Sequence, residues 1–289
     1  AFTSEKSALV LGARGDYHNT YGAFFTPRAH YKFNFTELSA LRFSVGRGFR
    51  TANPLIENAG VMASSRKVIL EELNPEIAWN YGTSVTHKFE IADKEMSVNL
   101  DYYFTDFQNQ VVVDIENPDE ISFYNLKGKS YSHSFQAEVS AKITQQFEFK
   151  AAYKLYDIKT DYQDGLKQKP LVARNRVLVN LGYITNFDKW KFDLTGQWFD
   201  ASRLPSTATN LVENRVDTES KPFITLNSQV TRAFRKFEIY VGVENMTNFK
   251  QDSPIIAAND PFGSDFDASL IWGSINGRIA YGGLRFKIQ

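Results

Sequence analysis

Apolar and polar residues alternate one by one along most of the chain, and this pattern limits the folds that the chain can adopt. Between residues 135 and 143, Phe135 and Val139 fall on odd positions, whereas Glu138 and Lys142 fall on even positions. Successive side chains of a β-strand point to opposite faces, so such a segment has one apolar and one polar face. A helix needs apolar residues three and four positions apart, a spacing that these segments lack. The sequence therefore predicts an all-β fold.

The alternation divides the chain into about twelve strands. They cover approximately residues 5–18, 21–35, 38–48, 74–90, 95–106, 121–144, 146–158, 171–185, 189–200, 222–233, 236–248 and 268–288. Many of them reach ten residues or more, whereas strands of globular sheets usually have about 5–6. A tilted strand of about 9–11 residues crosses a bilayer. Length and alternation together predict an antiparallel, up-and-down transmembrane β-barrel rather than a soluble sandwich.

The same parity assigns the two faces of the predicted barrel. We expect the lipid-facing set to include Phe135, Val139, Phe147, Phe149, Tyr153, Phe192 and Leu194. We expect the lumen-facing set to include Glu138, Lys142, Glu148, Lys150, Lys191 and Asp193. Lipid-facing and lumen-facing residues alternate in this way in membrane barrels.

Short and long connections also alternate between the predicted strands. The tight links fall at residues 35–38, 92–95, 145–146, 186–189 and 233–236, and the long ones at 47–73, 107–120, 157–170, 200–221 and 248–267. Outer-membrane barrels have short turns on the periplasmic side and long loops outside. A soluble antiparallel sandwich has no reason to sort its loops in this way.

Composition excludes several other classes of protein. The chain has 33 Lys and Arg residues against 33 Asp and Glu residues, a balance that argues against a nucleic-acid-binding protein. It has no cysteine, and so no disulfide, thiolate nucleophile or cysteine-based metal site. No apolar run exceeds four residues, whereas a membrane-spanning helix needs about 20. The chain opens at Ala1 without a basic segment before an apolar stretch, so we expect no signal peptide in it.

Short motifs follow one another in a defined order between residues 20 and 250. They are PRAHY from Pro27, SVGRGFRTANP from Ser44, LNPE from Leu73 with NYG from Asn80, YYFTDF from Tyr102, FYNL from Phe123 with SFQAE from Ser134, and GVENMTN from Gly242. The ordered set resembles the β-barrel domain of TonB-dependent outer-membrane receptors. Gln136 is one departure, because that family has glycine at the corresponding position.

The resemblance implies a particular organisation. Members of the family have an N-terminal plug domain inside a barrel of 22 strands, and plugged barrels of that size are a known class. Twelve strands cannot form that barrel, so we expect residues 1–289 to be the C-terminal portion of it. The plug domain, the segment that contacts TonB and the first strands would lie outside this chain. The implied location is the outer membrane of a Gram-negative cell, with many crossings and with membrane lipid around it.

The resemblance also implies a function and partners. It predicts energised import of a large, scarce ligand, most often an iron-siderophore or similar metal chelate, with energy delivered by the TonB complex. An importer of glycans, cobalamin or haem in the same family, or a passive porin, are the alternatives. Import needs no covalent chemistry, so we predict no enzyme, no catalytic residue and no cofactor. A barrel enzyme would need a paired Ser and His, and the sequence shows no such arrangement.

Basic residues cluster around the predicted strand that enters the long link at 47–73. Arg42 alternates with the apolar residues of this strand and should face the lumen, and we assign Arg47 and His30 to the lumen as well. Such a cluster would contact the plug or an anionic chelate. The alternative is ordinary polar lining of the lumen, paired with carboxylates of the barrel.

Arg50 and Asn53 lie where this strand meets the link. A guanidinium and an amide there can grip the oxygens of a carboxylate or hydroxamate through directional hydrogen bonds. We therefore predict both residues as ligand contacts.

No metal site is predicted. The histidines are scattered, and the last long link carries aspartates whose spacing does not match a calcium-binding loop of the EF-hand type. These aspartates are Asp252, Asp260, Asp265 and Asp267, and we interpret them as solvated loop charge.

Overall fold

The computed structural model describes residues 1–286 and consists mainly of antiparallel strands. The strands are β1 (Phe2–Thr3), β2 (Ser7–His18), β3 (Gly22–Thr36), β4 (Ser39–Arg50), β5 (Lys67–Leu70), β6 (Glu76–Ile91), β7 (Lys94–Asn109), β8 (Val111–Asp114), β9 (Glu120–Asn125), β10 (Ser130–Lys142), β11 (Phe147–Tyr162), β12 (Gly165–Gln168), β13 (Asn175–Ile184), β14 (Trp190–Phe199), β15 (Phe223–Ala233), β16 (Phe237–Glu244) and β17 (Ile279–Phe286). One short α-helix, α1 (Pro54–Glu57), lies between β4 and β5 and is followed there by a 3-10 helix (Ala59–Met62). Two further 3-10 helices cover Asn186–Asp188 and Val212–Asn214. Within residues 1–286, no helix has the length and apolar character that crossing a membrane requires.

One continuous antiparallel sheet, here called the barrel wall, contains most of the strands. Its order is β1-β2-β3-β4-β6-β7-β10-β11-β13-β14-β15-β16-β17, and β12 extends β11 beyond it. Apart from the two-residue β1, the wall has the predicted long strands, each paired with its successor in the wall. Within the described residues the sheet does not close on itself. The predicted fold class, part of an up-and-down transmembrane barrel, is confirmed.

The strand register keeps the two predicted faces apart across the wall. One row of directly paired residues joins Phe147, Tyr183 and Phe192. The adjacent row contains Glu148 and, two strands away, Asp193. The predicted lipid-facing and lumen-facing sets therefore lie on opposite faces, because the antiparallel register carries one parity from strand to strand.

The buried apolar residues lie outside this wall. Within residues 1–286 they belong to the long loops at one end of the wall strands, except for Tyr162, which lies at the end of β11. On the wall itself, large apolar side chains such as Phe192 and Leu194 are exposed. A soluble sandwich would instead bury them between two sheets. Lipid is the environment in which such a continuous apolar face is stable.

The segment predicted as one strand at 121–144 is two strands in two different sheets. β9 ends and β10 begins on either side of a turn at residues 126–129. Gly128 fits in this turn because a Cβ atom there would overlap the carboxylate of Asp161. The alternation keeps the same parity on both sides of the turn, so the pattern conceals the break.

The last two predicted strands are also shorter than predicted. β16, predicted at 236–248, stops early, and β17, predicted at 268–288, starts late. The side-chain oxygen of Gln251 accepts hydrogen bonds from the backbone N–H groups of Trp272 and Gly273. The side chain of Gln251 thus satisfies backbone N–H groups at residues 272 and 273 that a neighbouring strand would otherwise bond. The end of the predicted strand, from Lys287 onward, lies outside the described residues.

Val139 tests the assignment of the apolar face. It lies on β10 between Val98 and Ala151 in the neighbouring strands. We expect Val139→Arg to lower the free energy of unfolding in lipid vesicles by about 2–4 kcal/mol, as for an arginine near the bilayer midplane. Equilibrium unfolding of the lipid-inserted protein measures this change.

Asn99→Arg provides the matched control on the polar face. Asn99 lies directly opposite Glu138, so the new guanidinium meets a carboxylate and the polar lumen. We expect a change within about 0.5 kcal/mol, as is usual for substitutions on a polar surface. Equal losses of stability for Val139→Arg and Asn99→Arg would contradict the assigned faces.

Candidate functional site

Five long loops at one end of the wall strands pack together into a unit, here called the loop cap. In chain order they are residues 51–75, 110–129, 163–174, 200–222 and 245–278. The core of the cap contains Ile115, Ile121 and Phe123 from the second loop with Ile256 and Leu270 from the fifth. Residues of the other three loops pack around it, namely Val61, Met62, Leu171 and Val216. The loops therefore share one apolar core.

A small sheet joins the first two loops. β5 of the first loop pairs in parallel with β9, and β8 pairs in antiparallel with the other edge of β9. The central strand β9 carries Phe123, which is 0% exposed. Parallel strands need a long connection, and here the barrel hairpin of β6 and β7 provides it. The cap is thus built on the wall and depends on it for its connections.

A buried ion pair fastens the first loop to the fifth. The guanidinium of Arg66 lies 2.9 Å from the carboxylate of Asp267, and the two side chains are 3% and 5% exposed. Arg66 also donates a hydrogen bond of 2.9 Å to the carbonyl oxygen of Ile115 in the second loop. Charges removed from water are tolerated when they are paired and hydrogen-bonded. Three loops therefore meet at this guanidinium.

Glu116 connects the second loop to the third and fourth. Its carboxylate accepts hydrogen bonds of 2.8 and 2.7 Å from Arg203 and one of 3.2 Å from Lys167. The hydrogen bond to Asp164, and then the bond to Glu116, raise the pKa of Lys167 above its ordinary value. The lysine therefore stays charged at neutral pH and keeps the connection.

A hydrogen bond from a buried tyrosine orients the carboxylate that joins the second loop to the third. Tyr124 donates a hydrogen bond of 2.6 Å to Asp114, and the same carboxylate accepts the backbone N–H of Gln163 in the third loop at 3.3 Å. Burial, together with this bond to Asp114, raises the pKa of Tyr124 well above its ordinary value. Its hydroxyl therefore remains a donor at every physiological pH.

The aspartates of the last loop differ in burial: Asp267 is buried, which corrects its interpretation as solvated loop charge, whereas Asp252 is exposed. Asp265 accepts hydrogen bonds from the N–H of Leu211 at 2.9 Å and from Asn214 at 2.8 Å. These bonds, with the one from Asn214 as the largest cause, lower the pKa of Asp265. Asp252 pairs with Lys221 at 2.8 Å. In the described part of the chain, no group of three or more His, Cys, Asp or Glu residues is placed to hold a metal ion.

The two predicted ligand contacts lie at the junction of β4 with the first loop. Arg50 donates a hydrogen bond of 2.6 Å to Glu76 and lies 2.9 Å from Glu57, and its side chain is 57% exposed. Asn53 is exposed just before α1, and its backbone N–H bonds Glu57 at 3.2 Å. Both residues lie where the wall strands meet the loop cap, a boundary here called the rim. The charge of Arg50 is already balanced there by the carboxylates of Glu57 and Glu76.

Arg42 and His30 share the polar face of the wall. His30 pairs with Ser44, and Arg42 pairs with Lys32, so all four side chains have the same parity. Arg42 donates a hydrogen bond of 3.2 Å to the hydroxyl of Thr86 on the next strand. In residues 1–286, Arg42 and Lys32 form no ion pair with a carboxylate, so this part of the lumen face is basic.

Arg47 lies on the other face, which corrects the prediction of a lumen-facing residue. It pairs directly with Trp79 on β6 and is separated from Arg42 by an odd number of positions. An odd separation along a regular strand reverses the side of the sheet. The guanidinium donates a hydrogen bond of 2.9 Å to the carbonyl oxygen of Phe25.

Sequence reasoning missed the residues that hold the cap together. Arg66, Glu116 and Arg203 lie outside the regular alternation, and Glu116 and Arg203 are 87 positions apart. Asp267 stands out in the sequence only as one of several loop aspartates. No local pattern identifies these partners, because the fold of the whole barrel brings them together.

Comparison with known proteins places the chain in a family. The model of the family described as TonB dependent receptor-like, beta-barrel matches residues 2–246. The chain belongs to this family, and it is an outer-membrane β-barrel protein. No curated protein matches it.

Solved structures share its fold. A variant of the ferric enterobactin receptor of Pseudomonas aeruginosa, in complex with enterobactin, is 14% identical with a TM-score of 0.72, over 97% of this chain and 43% of that chain. The copper transporter OprC is 13% identical with a TM-score of 0.68, over 99% and 46%. The siderophore receptor PiuA of Acinetobacter baumannii is 15% identical with a TM-score of 0.62, over 98% and 41%. The chain thus spans less than half the length of these proteins.

Arg66 tests whether the cap is one cooperative unit. We expect Arg66→Met to destabilise the cap by about 3–5 kcal/mol, because it leaves the carboxylate of Asp267 buried without its partner. Hydrogen exchange of the cap amides should accelerate about a hundredfold or more, while that of the wall strands stays unchanged.

Arg235→Met is the control for this prediction. Arg235 is exposed in the tight turn between β15 and β16, at the end of the wall strands away from the cap. We expect no change in exchange at the cap. If Arg66→Met accelerates exchange in its own loop alone, the loops move independently and do not form one unit.

Proposed function

We propose that this chain is the C-terminal part of the barrel of an outer-membrane receptor that imports a large, scarce ligand with energy from the TonB complex. The ligand we propose is an iron-siderophore or another metal chelate. A plug domain and the remaining strands would belong to the rest of the receptor. Import of this kind needs binding and release but no covalent step.

The family match over residues 2–246 carries this proposal. The loop cap supports it, because five loops held by a shared core and a buried ion pair form an ordered surface on which a ligand can bind. Binding sites are formed by loops positioned on a rigid scaffold, and here the wall is that scaffold. The fold shared with siderophore receptors and a copper transporter supports a metal chelate as the ligand.

Two regions of the chain suit the steps of import. Arg50 and Asn53 are exposed at the rim, where an incoming ligand arrives first. Arg42 and His30 lie on the basic lumen face below it and would contact the plug. We propose the first pair as ligand contacts and the second as the contact with the plug.

Uptake in the absence of TonB tests the proposed function directly. Cells that depend on the full-length receptor for iron take up a radiolabelled ferric siderophore, and the measurement compares strains with and without TonB. We expect uptake to fall to background without TonB, because a plugged barrel opens only when energy is transmitted to it. Uptake that continues unchanged would contradict the proposal and identify a passive pore.

Substitutions at the rim test the ligand contacts. We expect Asn53→Ala and Arg50→Gln each to weaken binding of the ferric siderophore to the full-length receptor by about tenfold, the worth of one directional hydrogen bond. Asn186→Ala is the matched control, because Asn186 lies in the tight turn between β13 and β14 on the opposite side. If all three variants bind as tightly as the parent, Arg50 and Asn53 are not ligand contacts.

A further inference from the structure

Two cations face each other on the polar side of the wall. Lys154 on β11 pairs directly with Arg176 on β13, and Arg176 in turn pairs with Phe199 on β14. Like charges directly opposite each other in neighbouring strands are destabilising. This arrangement therefore has an energetic cost that something else must offset.

Aromatic rings hold the two cations in place. The guanidinium carbon of Arg176 lies 5.6 Å from the ring centre of Tyr156 and 5.5 Å from that of Phe199. The ammonium of Lys154 lies 4.7 Å from the ring centre of Tyr156. Cation–π contacts orient the charged groups but leave their charge in place. The two side chains are therefore positioned and not neutralised.

Within residues 1–286, no carboxylate pairs with either cation. Glu138, which lies on this face opposite Ala152, is 3.0 Å from Lys150 instead. The Nε atom of Arg176 is buried and has no hydrogen-bond partner. On other strands of the same face, Lys191 and Arg285 both contact Glu238 at 3.4 Å, whereas Lys32 and Arg42 form a second directly opposed pair without a carboxylate partner among the described residues. The Lys154–Arg176 pair is distinguished by its aromatic contacts and by the cavity beside it.

A cavity of about 530 Å³ opens onto this pair. Lys154 and Arg176 line it together with Phe199, and so do Glu138 and Lys150, which neutralise each other as an ion pair. The remaining polar lining consists of amide and hydroxyl groups, namely Gln136, Asn180, Thr195 and Gln197. Binding pockets typically combine such volume with a few convergent polar groups. The lining offers charged donors to an oxyanion and neutral donors and acceptors to the atoms around it.

We propose that Lys154 and Arg176 form an oxyanion-binding site on the lumen wall, which takes the carboxylate or phosphate group of a small molecule. An oxyanion between the two cations removes their repulsion and accepts charge-assisted hydrogen bonds from both. The planar guanidinium suits two oxygens of one group, and the ammonium contributes a point charge. The inference rests on the proposed function in one respect: the bound molecule would be the ligand on its way through the barrel.

Equilibrium dialysis tests the site on the full-length receptor, purified in detergent at fixed ionic strength. The probes are radiolabelled citrate in one arm and radiolabelled inorganic phosphate in the other. We expect saturable binding of at least one probe, and the arm that binds identifies the oxyanion as carboxylate or phosphate. Lys154→Gln and Arg176→Gln should each weaken that binding by about tenfold or more.

Lys142→Gln is the matched control, because it removes one lumen-facing lysine that lies outside this cavity. We expect the control to bind the probe like the parent. Folding of each variant is checked by its resistance to unfolding in a denaturing detergent when the sample is not heated. Arg176→Lys, which keeps the positive charge, should bind the probe more tightly than Arg176→Gln. Binding of neither probe, or equal binding by the parent and both Gln variants, would overturn the proposal.

The outcome is separable from that of the proposed function. Dialysis needs no TonB, so a receptor that shows TonB-dependent uptake but no oxyanion binding keeps the function and loses this site. A receptor that binds the probe through Lys154 and Arg176 but takes up the siderophore without TonB keeps the site and loses the proposed function.

Discussion

Backbone hydrogen bonding between neighbouring strands is the constraint on which the rest of this structure depends. Inside a bilayer no water is present to satisfy an unpaired N–H or C=O group, so a spanning sheet must pair them strand by strand. The wall meets this requirement with an unbroken antiparallel order from β1 to β17. The strand register then determines which side chains contact lipid and which face the lumen. The buried apolar core therefore lies in the loops, apart from Tyr162 at the end of β11.

The loop cap solves a different problem by different means. Its loops lie outside the lipid and cannot rely on a continuous ladder, so they bury an apolar core around Phe123 and pair charges inside it. Removing one partner of such a pair is costly, which makes the cap sensitive to single substitutions. We expect the wall strands to be less affected by such changes, because a continuous backbone ladder of their own holds them together.

The wall could be predicted from the sequence, and the cap could not. Alternation is a local property, so the strands containing Val139 and Phe192 and the face of each residue follow from counting positions. Counting also exposes the error at Arg47, whose odd separation from Arg42 places it on the other face. The cap depends on partners far apart in the chain, such as Arg66 with Asp267, and on a parallel pairing of β5 with β9 that no short window contains. The cations at Lys154 and Arg176 become visible as a pair only when the register of β11 and β13 is known.

Site-directed labelling along β10 tests the two-faced wall most directly. The chain has no cysteine, so single cysteines introduced at successive positions from 131 to 142 report their surroundings without interference. In the full-length receptor inserted in lipid vesicles, spin labels on these cysteines are exposed to oxygen, which partitions into lipid, and to a water-soluble relaxation agent. The account predicts that accessibility to the two agents alternates with a period of two residues and in opposite phase, with the odd positions reached from lipid. Equal accessibility at neighbouring positions, or a period near 3.6, would contradict it.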